Sequence, residues 1–339
     1  MTANPLKGFS VDRSSIRTIG HDLQRPECIL AEPNGDLWSA DARGGLMHIR
    51  PDGSQTFIGQ TASAAFGGTD NAEARFTQGT LPNGLAFARN GDILISNFGT
   101  DRLERMTRAG DTHVLHDTID GKPIGKVNFV LRDSRDRIWM TVSTRVTPWT
   151  TAAASRVRDG FVAVADERGL RVVADGFSFT NEIRFDAREE WLYIVETTGP
   201  HITRMRVVES AGGVALTDRE IHGPAHLGGM PDGIAFDSAG NLWCTLVMID
   251  QLIAITPQGE RLMLLDDSTP AGHDLVRAFD AGQATSEMMF AAAGSIAPWM
   301  ASVTFGGPDL KTVYVGSLRG TRIPYFRSPV AGLPMVHWR

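Results

Sequence analysis

The feature that most constrains this 339-residue chain is one sequence pattern that occurs six times. Each copy starts at an anchor residue and continues as an alternating apolar run. A short polar turn follows, such as Gly240–Asn241, and then a second apolar run. This is the pattern of two antiparallel strands joined by a tight turn. The six anchors are Glu27, Asn83, Asn128, Asn181, Asp232 and Ala301.

The spacing of the anchors predicts the fold. Successive anchors are separated by 56, 45, 53, 51 and 69 residues, and Trp38, Trp139 and Trp243 each stand eleven residues past an anchor. A period near ~40 to 50 residues is typical of a four-stranded propeller blade. The sequence therefore predicts an all-β, six-bladed β-propeller with four-stranded antiparallel blades, forming a single domain over residues 1–339. We expect a strand within residues 16–20 to pair into the last blade and close the ring.

Composition restricts the class of protein. The formal net charge of −6 argues against a nucleic acid or an anionic membrane as partner. No apolar run approaches the ~20 residues of a membrane span, and the N-terminal stretch lacks the apolar core of a signal peptide. The two cysteines, Cys28 and Cys244, lie inside predicted strands, which indicates buried thiols rather than a disulfide. These features predict a reduced, cytoplasmic protein.

The anchors are the candidate chemical groups. Equivalent positions of successive blades lie on a circle around the central channel, so we expect their side chains to converge at one mouth. Glu27 and Asp232 would then repel each other and have raised pKa values unless a cation lay between them. An all-oxygen set of two carboxylates and several amides suits Ca²⁺, Mg²⁺ or Mn²⁺. The alternative is that Asn83 and Asp232 only cap their strands by bonding local backbone, as such residues do in turns, but a glutamate at Glu27 does not fit this.

Other motifs add little chemistry. No G-x-S-x-G elbow suggests a serine hydrolase, and no G-x-G-x-x-G or Walker motif suggests a nucleotide cofactor. His222 and His226 have a spacing that binds zinc on a helix. Proline and glycines in that stretch exclude a regular helix, so we expect both histidines to lie in a loop.

From about Pro26 to Pro334 the chain resembles the SMP-30/gluconolactonase/luciferin-regenerating enzyme family of six-bladed propellers. The resemblance depends on Glu27, on Asn128, on SFTNEIRFD around Asn181, on MPDGIAFDSAGNLW around Asp232 and on the late run SVTFGGPDLKTVYVGS. It implies one divalent metal held by Glu27, Asn181 and Asp232. It also implies that Asn128 contacts substrate or metal and that Asp232 is the general base. Typical family members hydrolyse lactones, often sugar lactones, and some relatives cleave organophosphates.

The sequence departs from the family pattern at positions that bear on substrate. Lys126 replaces a common Arg, so a bidentate fork is lost, and Phe129 replaces a common Asp. Glu182 stands where the family usually has Gly, and Ala301 replaces a frequent Thr. A sugar lactone is therefore less well supported as the substrate.

These observations predict a metal-dependent lactonase that acts on a small-molecule lactone. The predicted cofactor is one divalent cation, Ca²⁺ in the first place, with Mg²⁺, Mn²⁺, Zn²⁺ or Fe²⁺ as alternatives. Alternative functions are phosphotriester hydrolysis, a metal-dependent isomerase or lyase step, and non-catalytic binding by the propeller. The predicted substrate-binding residues are Asn83, Lys126, Asn128, Phe129 and Trp149.

Three loops complete the prediction. Residues 59–79 are polar and glycine-rich and are expected on a rim. Trp149, in the loop 143–160, either packs that loop down or forms part of a pocket wall. The longest link, 266–300, has helix-forming composition with Leu275, Val276 and Phe279 on one face. It either pads the outside of blade six or forms an apolar lid over the metal, and the lid predicts a bulkier, partly apolar lactone.

Overall fold

The computed structural model describes residues 4–61, 79–153 and 157–338. These residues contain six four-stranded antiparallel sheets, and the sheets form a six-bladed β-propeller, as the repeat predicts. Most of the predicted rim loop 59–79 lies outside the described residues.

In blades one to five the four strands follow one another in the chain, and each pairs with the next. Blade one contains Ile29–Ala31, Leu37–Asp41, Gly45–Ile49 and Gln55–Gly59. Blade two contains Pro82–Phe87, Ile93–Asn97, Arg102–Met106 and Thr112–His116. Blade three contains Val127–Arg132, Ile138–Val142, Gly160–Asp166 and Gly169–Phe177. Blade four contains Thr180–Phe185, Trp191–Glu196, His201–Ser210 and Gly213–His222. Blade five contains Met230–Phe236, Leu242–Val247, Gln251–Ile255 and Arg261–Asp266.

Blade six joins the two ends of the chain. Its first three strands are Met300–Gly306, Thr312–Ser317 and Ile323–Arg327, and its fourth is the N-terminal strand Arg17–Ile19. The N-terminal strand pairs antiparallel with Ile323–Arg327. This pairing confirms the predicted ring closure, because it joins the N-terminal end of the chain to the blade formed by its C-terminal end.

Short elements connect the blades. A two-stranded ladder joins Thr118–Ile119 to Lys122–Pro123, and single 3₁₀ turns occur at Arg13–Ser15 and Val336–Trp338. Three α-helices are described: α1 (Trp149–Ala153), α2 (Pro270–Asp280) and α3 (Ser286–Ala291). No helix among the described residues is long and apolar enough to cross a membrane.

The three repeated tryptophans are fixed by a shared hydrogen bond. Each is buried on the second strand of its blade, and each indole Nε1 donates to a carboxylate six residues earlier. The pairs are Trp38 with Glu32 at 2.7 Å, Trp139 with Asp133 at 2.8 Å and Trp243 with Asp237 at 3.0 Å. The carboxylate lies in the turn between the first two strands, so the bond ties the turn to the core of the blade.

Hydroxyl side chains connect neighbouring blades near the channel. The first strand of a blade pairs only with the second strand of the same blade. The carbonyl groups on its unpaired edge therefore need other hydrogen-bond donors. In each of these bonds a hydroxyl of one blade donates to a backbone carbonyl of the next: Ser96 to Asn128 O at 2.5 Å, Ser143 to Thr180 O at 2.8 Å, Thr197 to Pro231 O at 2.8 Å, Thr245 to Ala301 O at 2.7 Å, and Ser302 to Glu27 O. Every accepting residue is an anchor or its immediate neighbour, so these bonds hold the anchors in place.

Two expectations about single residues have clear outcomes. Cys28 and Cys244 are both buried free thiols, as predicted. The prediction that His222 lies in a loop is wrong, because it ends the ten-residue strand Gly213–His222 and packs its ring edge against Tyr193. His226 lies after that strand and bonds Asp280 of α2 at 3.0 Å, so the two histidines do not form a pair.

The long link before blade six folds as two capped helices. Thr269 caps α2 by accepting from Gly272 N, and Thr285 caps α3 by accepting from Met288 N. Leu275 and Phe279 are buried against the end of blade five, as the predicted helical face requires. Asp250 accepts backbone N–H bonds at the C-terminal side of the link, from residues 294 and 300, and so fixes its return to blade six.

Candidate functional site

One cavity at a mouth of the channel collects the polar anchors. Glu27, Asn83, Asn128, Asn181 and Asp232 all line it, although they come from five different blades. Ala301, the apolar anchor, is buried but does not line the cavity. The structure thus brings together the five residues whose convergence was predicted from their register.

Irregularities in the inner strands aim these side chains. The antiparallel register shifts at the anchor in blades two to six, for example between Pro82 and Leu85 and between Pro231 and Ile234. A bulge places extra residues opposite the partner strand and re-aims a side chain, and bulges are frequent beside active sites. Gly233 follows Asp232 in its bulge, and a Cβ there would lie 2.4 Å from Ala301 O, so only glycine allows blade six to approach this closely.

Asn181 is oriented with its carbonyl oxygen free. Its Nδ2 donates to the Thr197 hydroxyl at 3.1 Å, and that hydroxyl donates onward to Pro231 O at 2.8 Å. Oδ1 of Asn181 is buried and has no hydrogen-bond partner. An amide held through its nitrogen with an unpartnered oxygen is the arrangement expected of a metal ligand supported by a neighbouring group.

Glu27 also presents a carboxylate oxygen that accepts no hydrogen bond. Its Oε2 lies 2.7 Å from Nη2 of Arg25, but this ion pair does not have hydrogen-bond geometry, and Oε2 has no hydrogen-bond donor. Both side chains are only 9% exposed. Together with Asp232, these residues provide carboxylate and amide oxygens of the type that hard divalent cations prefer. The donor set therefore fits the predicted metal.

Asn83 and Asn128 are engaged differently. Nδ2 of Asn83 donates to Asn128 O at 2.9 Å, and its Oδ1 accepts from Nη2 of Arg25 at 2.7 Å. The Asn83 side chain is therefore engaged through both its oxygen and its nitrogen, and it links Arg25 to blade three. The Asn128 side chain has one weak contact, from Asn83 Nδ2 to its Oδ1 at 3.4 Å, and it remains accessible from the cavity.

Burial controls the protonation of the carboxyl groups. It raises the pKa of Glu27, although the Arg25 guanidinium opposes this. It raises the pKa of Asp232 well above the usual range, with further contributions from the negative charges of Glu27 and Glu182. Carboxyl groups with raised pKa values are stabilised in their charged form by a nearby cation, or they share a proton.

Glu182 adds a third buried carboxyl group next to the anchor Asn181. Its Oε2 accepts from Ile234 N at 3.2 Å and pairs with Nη2 of Arg184 at 3.0 Å. Burial raises the pKa of Glu182 to about 7. The sequence identified Glu182 only as a departure from the family glycine; its negative charge is a smaller cause, after burial and Glu27, of the raised pKa of Asp232.

The outer walls of the cavity are apolar. On one side Trp149 of α1 packs edge-on against Phe98 with ring centroids 5.3 Å apart, and it also contacts Phe179 at 6.1 Å. On the other side Phe290 of α3 contacts Trp299 at 5.4 Å. All five rings line the cavity, as do Met230, Met248 and Met289. Trp149 therefore both packs its loop and forms a wall.

The link 266–300 contributes directly to this wall. Ser286, Met289 and Phe290 of α3 line the cavity, so this segment lies over the mouth that carries the anchors. This position disagrees with the alternative in which the segment pads the outside of blade six.

Two predicted substrate-binding side chains lie outside the cavity. Nζ of Lys126 pairs with Asp101 at 2.9 Å and donates to Phe98 O at 3.2 Å. Phe129 is buried in the core, where Arg184 lies over its ring at 4.5 Å. Neither residue lines the cavity, so the structure does not bring them to the anchors.

Several cavity residues were missed by the sequence reasoning. Arg25, Phe179, Met230 and Trp299 each stand two residues before an anchor, and all four line the cavity. Arg25, Phe179 and Trp299 have left-handed backbone conformations just before their strands, so the alternation of side chains along an extended strand did not predict where they point. No cluster of three or more His, Cys, Asp or Glu side chains suited to a metal occurs in the described part of the chain. The candidate site instead combines two carboxylates with an amide.

Comparison with known proteins identifies the family. Residues 75–294, more than half of the chain, match the model for the SMP-30/gluconolactonase/LRE-like region. The chain belongs to this family. The family match includes the anchors of blades two to five, while Glu27 precedes it.

Curated relatives of this SMP-30/gluconolactonase family member are named as lactonases. The chain is 27% identical to a 6-deoxy-6-sulfogluconolactonase of Pseudomonas putida over 186 residues, 52% of this chain and 54% of that protein. It is 26% identical to a pentonolactonase of Haloferax volcanii over 151 residues, 44% of this chain and 42% of that protein. The chain therefore spans about half the length of the curated relatives it matches.

Solved structures agree on the fold. A gluconolactonase from Xanthomonas campestris superposes with a TM-score of 0.66 at 18% identity, covering 92% of this chain and 89% of that one. At this identity the likeness shows the propeller fold alone.

Proposed function

We propose that this protein is a divalent-metal-dependent hydrolase that opens a lactone with a bulky, partly apolar substituent. The observation that carries the proposal is the convergence of Glu27, Asn181 and Asp232 in one cavity, where Asn181 Oδ1 is buried and unpartnered and Glu27 Oε2 is buried, accepts no hydrogen bond and is paired with Arg25. Membership of the SMP-30/gluconolactonase family and the lactonases among its relatives support the same reaction class.

Glu27, Asn181 and Asp232 would hold the cation, with Asn128 in or just beyond its coordination shell. A bound divalent cation supplies polarisation of the lactone carbonyl and stabilisation of the oxyanion. Ca²⁺ is the proposed ion because the donors are all oxygen, and Mg²⁺ and Mn²⁺ are the nearest alternatives.

Asp232 acts as the general base in this proposal. It takes a proton from the water that attacks the carbonyl carbon, and it returns that proton to the ring oxygen as the C–O bond breaks. General base catalysis of this kind typically contributes ~10² to 10⁴ in rate. The products are a hydroxyl and a carboxylate on one open-chain molecule.

The walls of the cavity support the apolar part of the proposal. A sugar lactone presents hydroxyl groups on most carbons, whereas Phe98, Trp149, Phe179, Phe290 and Trp299 offer ring surfaces. Apolar surface is stabilised by contact with such rings and hydroxyl groups are not. The helical segment 266–300 acts as a lid that completes this apolar wall.

A panel of lactones tests the proposal. The protein is stripped of metal with a chelator, reloaded with Ca²⁺, Mg²⁺ or Mn²⁺, and assayed for acid release from gluconolactone, γ-butyrolactone, δ-decalactone and dihydrocoumarin. We expect metal-dependent turnover, with a higher kcat/KM for δ-decalactone or dihydrocoumarin than for gluconolactone. Folded, metal-loaded protein that opens none of the four would contradict the reaction class. A preference for gluconolactone would contradict the apolar pocket alone.

A further inference from the structure

Arg25 is the one cationic side chain that lines the cavity among the described residues. It stands two residues before Glu27 and adopts a left-handed backbone conformation with φ of 56°. Non-glycine residues in this region are uncommon and occur where the surrounding structure enforces them. The side chain is 9% exposed, so a full positive charge is held beside the predicted metal ligands.

The contacts of Arg25 use only part of its guanidinium. Nη2 lies 2.7 Å from both Glu27 Oε2 and Asn83 Oδ1, and Nη1 donates to Pro82 O at 3.3 Å. Nε is buried and has no hydrogen-bond partner. A buried N–H donor without an acceptor is costly, by about 1 to 3 kcal/mol in proteins, unless a ligand or water accepts from it.

Within the part of the chain that the structure describes, no other cationic side chain lines the cavity. Lys126, which the sequence suggested for substrate binding, points to Asp101 and to Phe98 O and does not line the cavity. Substrate oxygens that enter the polar end of the cavity otherwise meet the acceptors of Glu27, Asn181 and Asp232. Unpartnered donors on the described lining residues include Trp149 Nε1 and the Thr198 hydroxyl besides Arg25 Nε, and of these three residues Arg25 is the one that carries a positive charge, which suits a carboxylate.

We propose that Arg25 is a substrate-binding residue whose Nε–H donates to a carboxyl oxygen of the ligand. This rests on the proposed function, because ring opening converts the lactone carbonyl into a carboxylate. The site then selects molecules with a carbonyl or carboxylate at one end and an apolar group at the other. The carboxyl end lies at Arg25, and the apolar end lies between the aromatic walls.

Two probes of one shape test this inference without turnover. 4-Phenylbutyrate and 4-phenylbutanol share an apolar tail and differ in the carboxylate, and their binding to Ca²⁺-loaded protein is measured by calorimetry. Wild-type protein is expected to bind phenylbutyrate more tightly. Arg25→Met should weaken phenylbutyrate binding about 10-fold, the loss of one charge-assisted hydrogen bond, and leave phenylbutanol unchanged.

Lys126→Met is the matched control. Lys126 stands two residues before the anchor Asn128, as Arg25 does before Glu27, but it does not line the cavity. This variant should change neither affinity. Arg25→Lys, which keeps the charge and loses Nε, is the variant to read if Arg25→Met does not fold, and it should weaken phenylbutyrate alone by several-fold.

Three results would overturn the inference. They are equal weakening of both probes by Arg25→Met, unchanged phenylbutyrate binding in that variant, and no preference for the carboxylate in wild type. If the protein opens none of the lactones, while wild type prefers phenylbutyrate and Arg25→Met loses that preference, only the hydrolase proposal is contradicted. Turnover of lactones with unchanged binding in Arg25→Met would count against Arg25 alone.

Discussion

Thr197→Val is the substitution that most sharply tests how the site is built. The Thr197 hydroxyl accepts from Asn181 Nδ2 at 3.1 Å and donates to Pro231 O at 2.8 Å. Valine has nearly the same shape and no hydroxyl. The variant therefore leaves the cavity walls unchanged, frees the Asn181 amide to rotate, and removes a donor from a buried carbonyl next to Asp232.

Two effects of this substitution can be estimated. Loss of a bond that orients a metal ligand typically costs 10 to 100-fold in metal affinity, which is about 1.4 to 2.8 kcal/mol. A buried carbonyl left without a donor lowers the free energy of unfolding by about 1 to 3 kcal/mol. The loss of metal affinity is specific to the cation site. The loss of stability is expected whenever a hydroxyl that bonds two blades is removed.

The assay is calorimetric titration of Ca²⁺ into metal-stripped protein, together with thermal unfolding of the metal-free form. Thr197→Ser keeps the hydroxyl and should bind Ca²⁺ nearly as wild type does. Thr304→Val is the control, because Thr304 donates to Ile29 O at 2.8 Å between blades six and one and does not line the cavity. It should lower stability and leave Ca²⁺ affinity unchanged. Wild-type Ca²⁺ affinity in folded Thr197→Val would refute the role given to Asn181.

Further predictions address the walls, the blade core and one histidine. Phe290→Ala should raise KM for dihydrocoumarin about 10-fold through lost apolar contact and leave γ-butyrolactone unaffected; a similar change in Phe57→Ala, on an outer strand, would contradict this. Asp237→Ala should lower the free energy of unfolding by about 3 to 5 kcal/mol in urea titrations, because the Trp243 indole and two backbone N–H groups lose their acceptor; a loss below about 1 kcal/mol would exclude this role. Burial lowers the pKa of His222 to about 4. The unfolded chain therefore binds the proton first, so stability should fall by up to about 3 kcal/mol as pH drops from about 6.5 to about 4. A His222→Phe variant with the same pH dependence of unfolding would refute that assignment.

The repeat predicted the propeller because one regular pattern recurs six times. Strand pairs with a common tryptophan position predict blades, and the polar anchors follow from the register of those blades. The N-terminal closing strand also followed, since a propeller closes when strands from both ends of the chain share one blade. These features depend on the local sequence pattern and on closure of the ring of blades, and both can be inferred from the order of residues.

The cavity walls were harder to predict because they depend on contacts between distant segments. Phe98 and Trp149 meet only when blades two and three are placed side by side. Lys126 has the same position relative to its anchor as Arg25, yet Asp101 draws it out of the cavity. Phe129 was expected beside the anchors, but the bulge in its strand places it in the core. The alternation of side chains along a strand does not predict these positions.

The most direct test of the central claim compares Asp232→Asn with Glu27→Gln at saturating Ca²⁺, using the lactone that the wild-type protein opens best. Both variants should bind the cation more weakly, and added Ca²⁺ should restore much of the activity of Glu27→Gln, which keeps its general base. Asp232→Asn should remain ~10² to 10⁴ lower in kcat with the metal bound, because an amide cannot take the proton from water. Equal recovery of kcat in the two variants would contradict the role of Asp232 as the base.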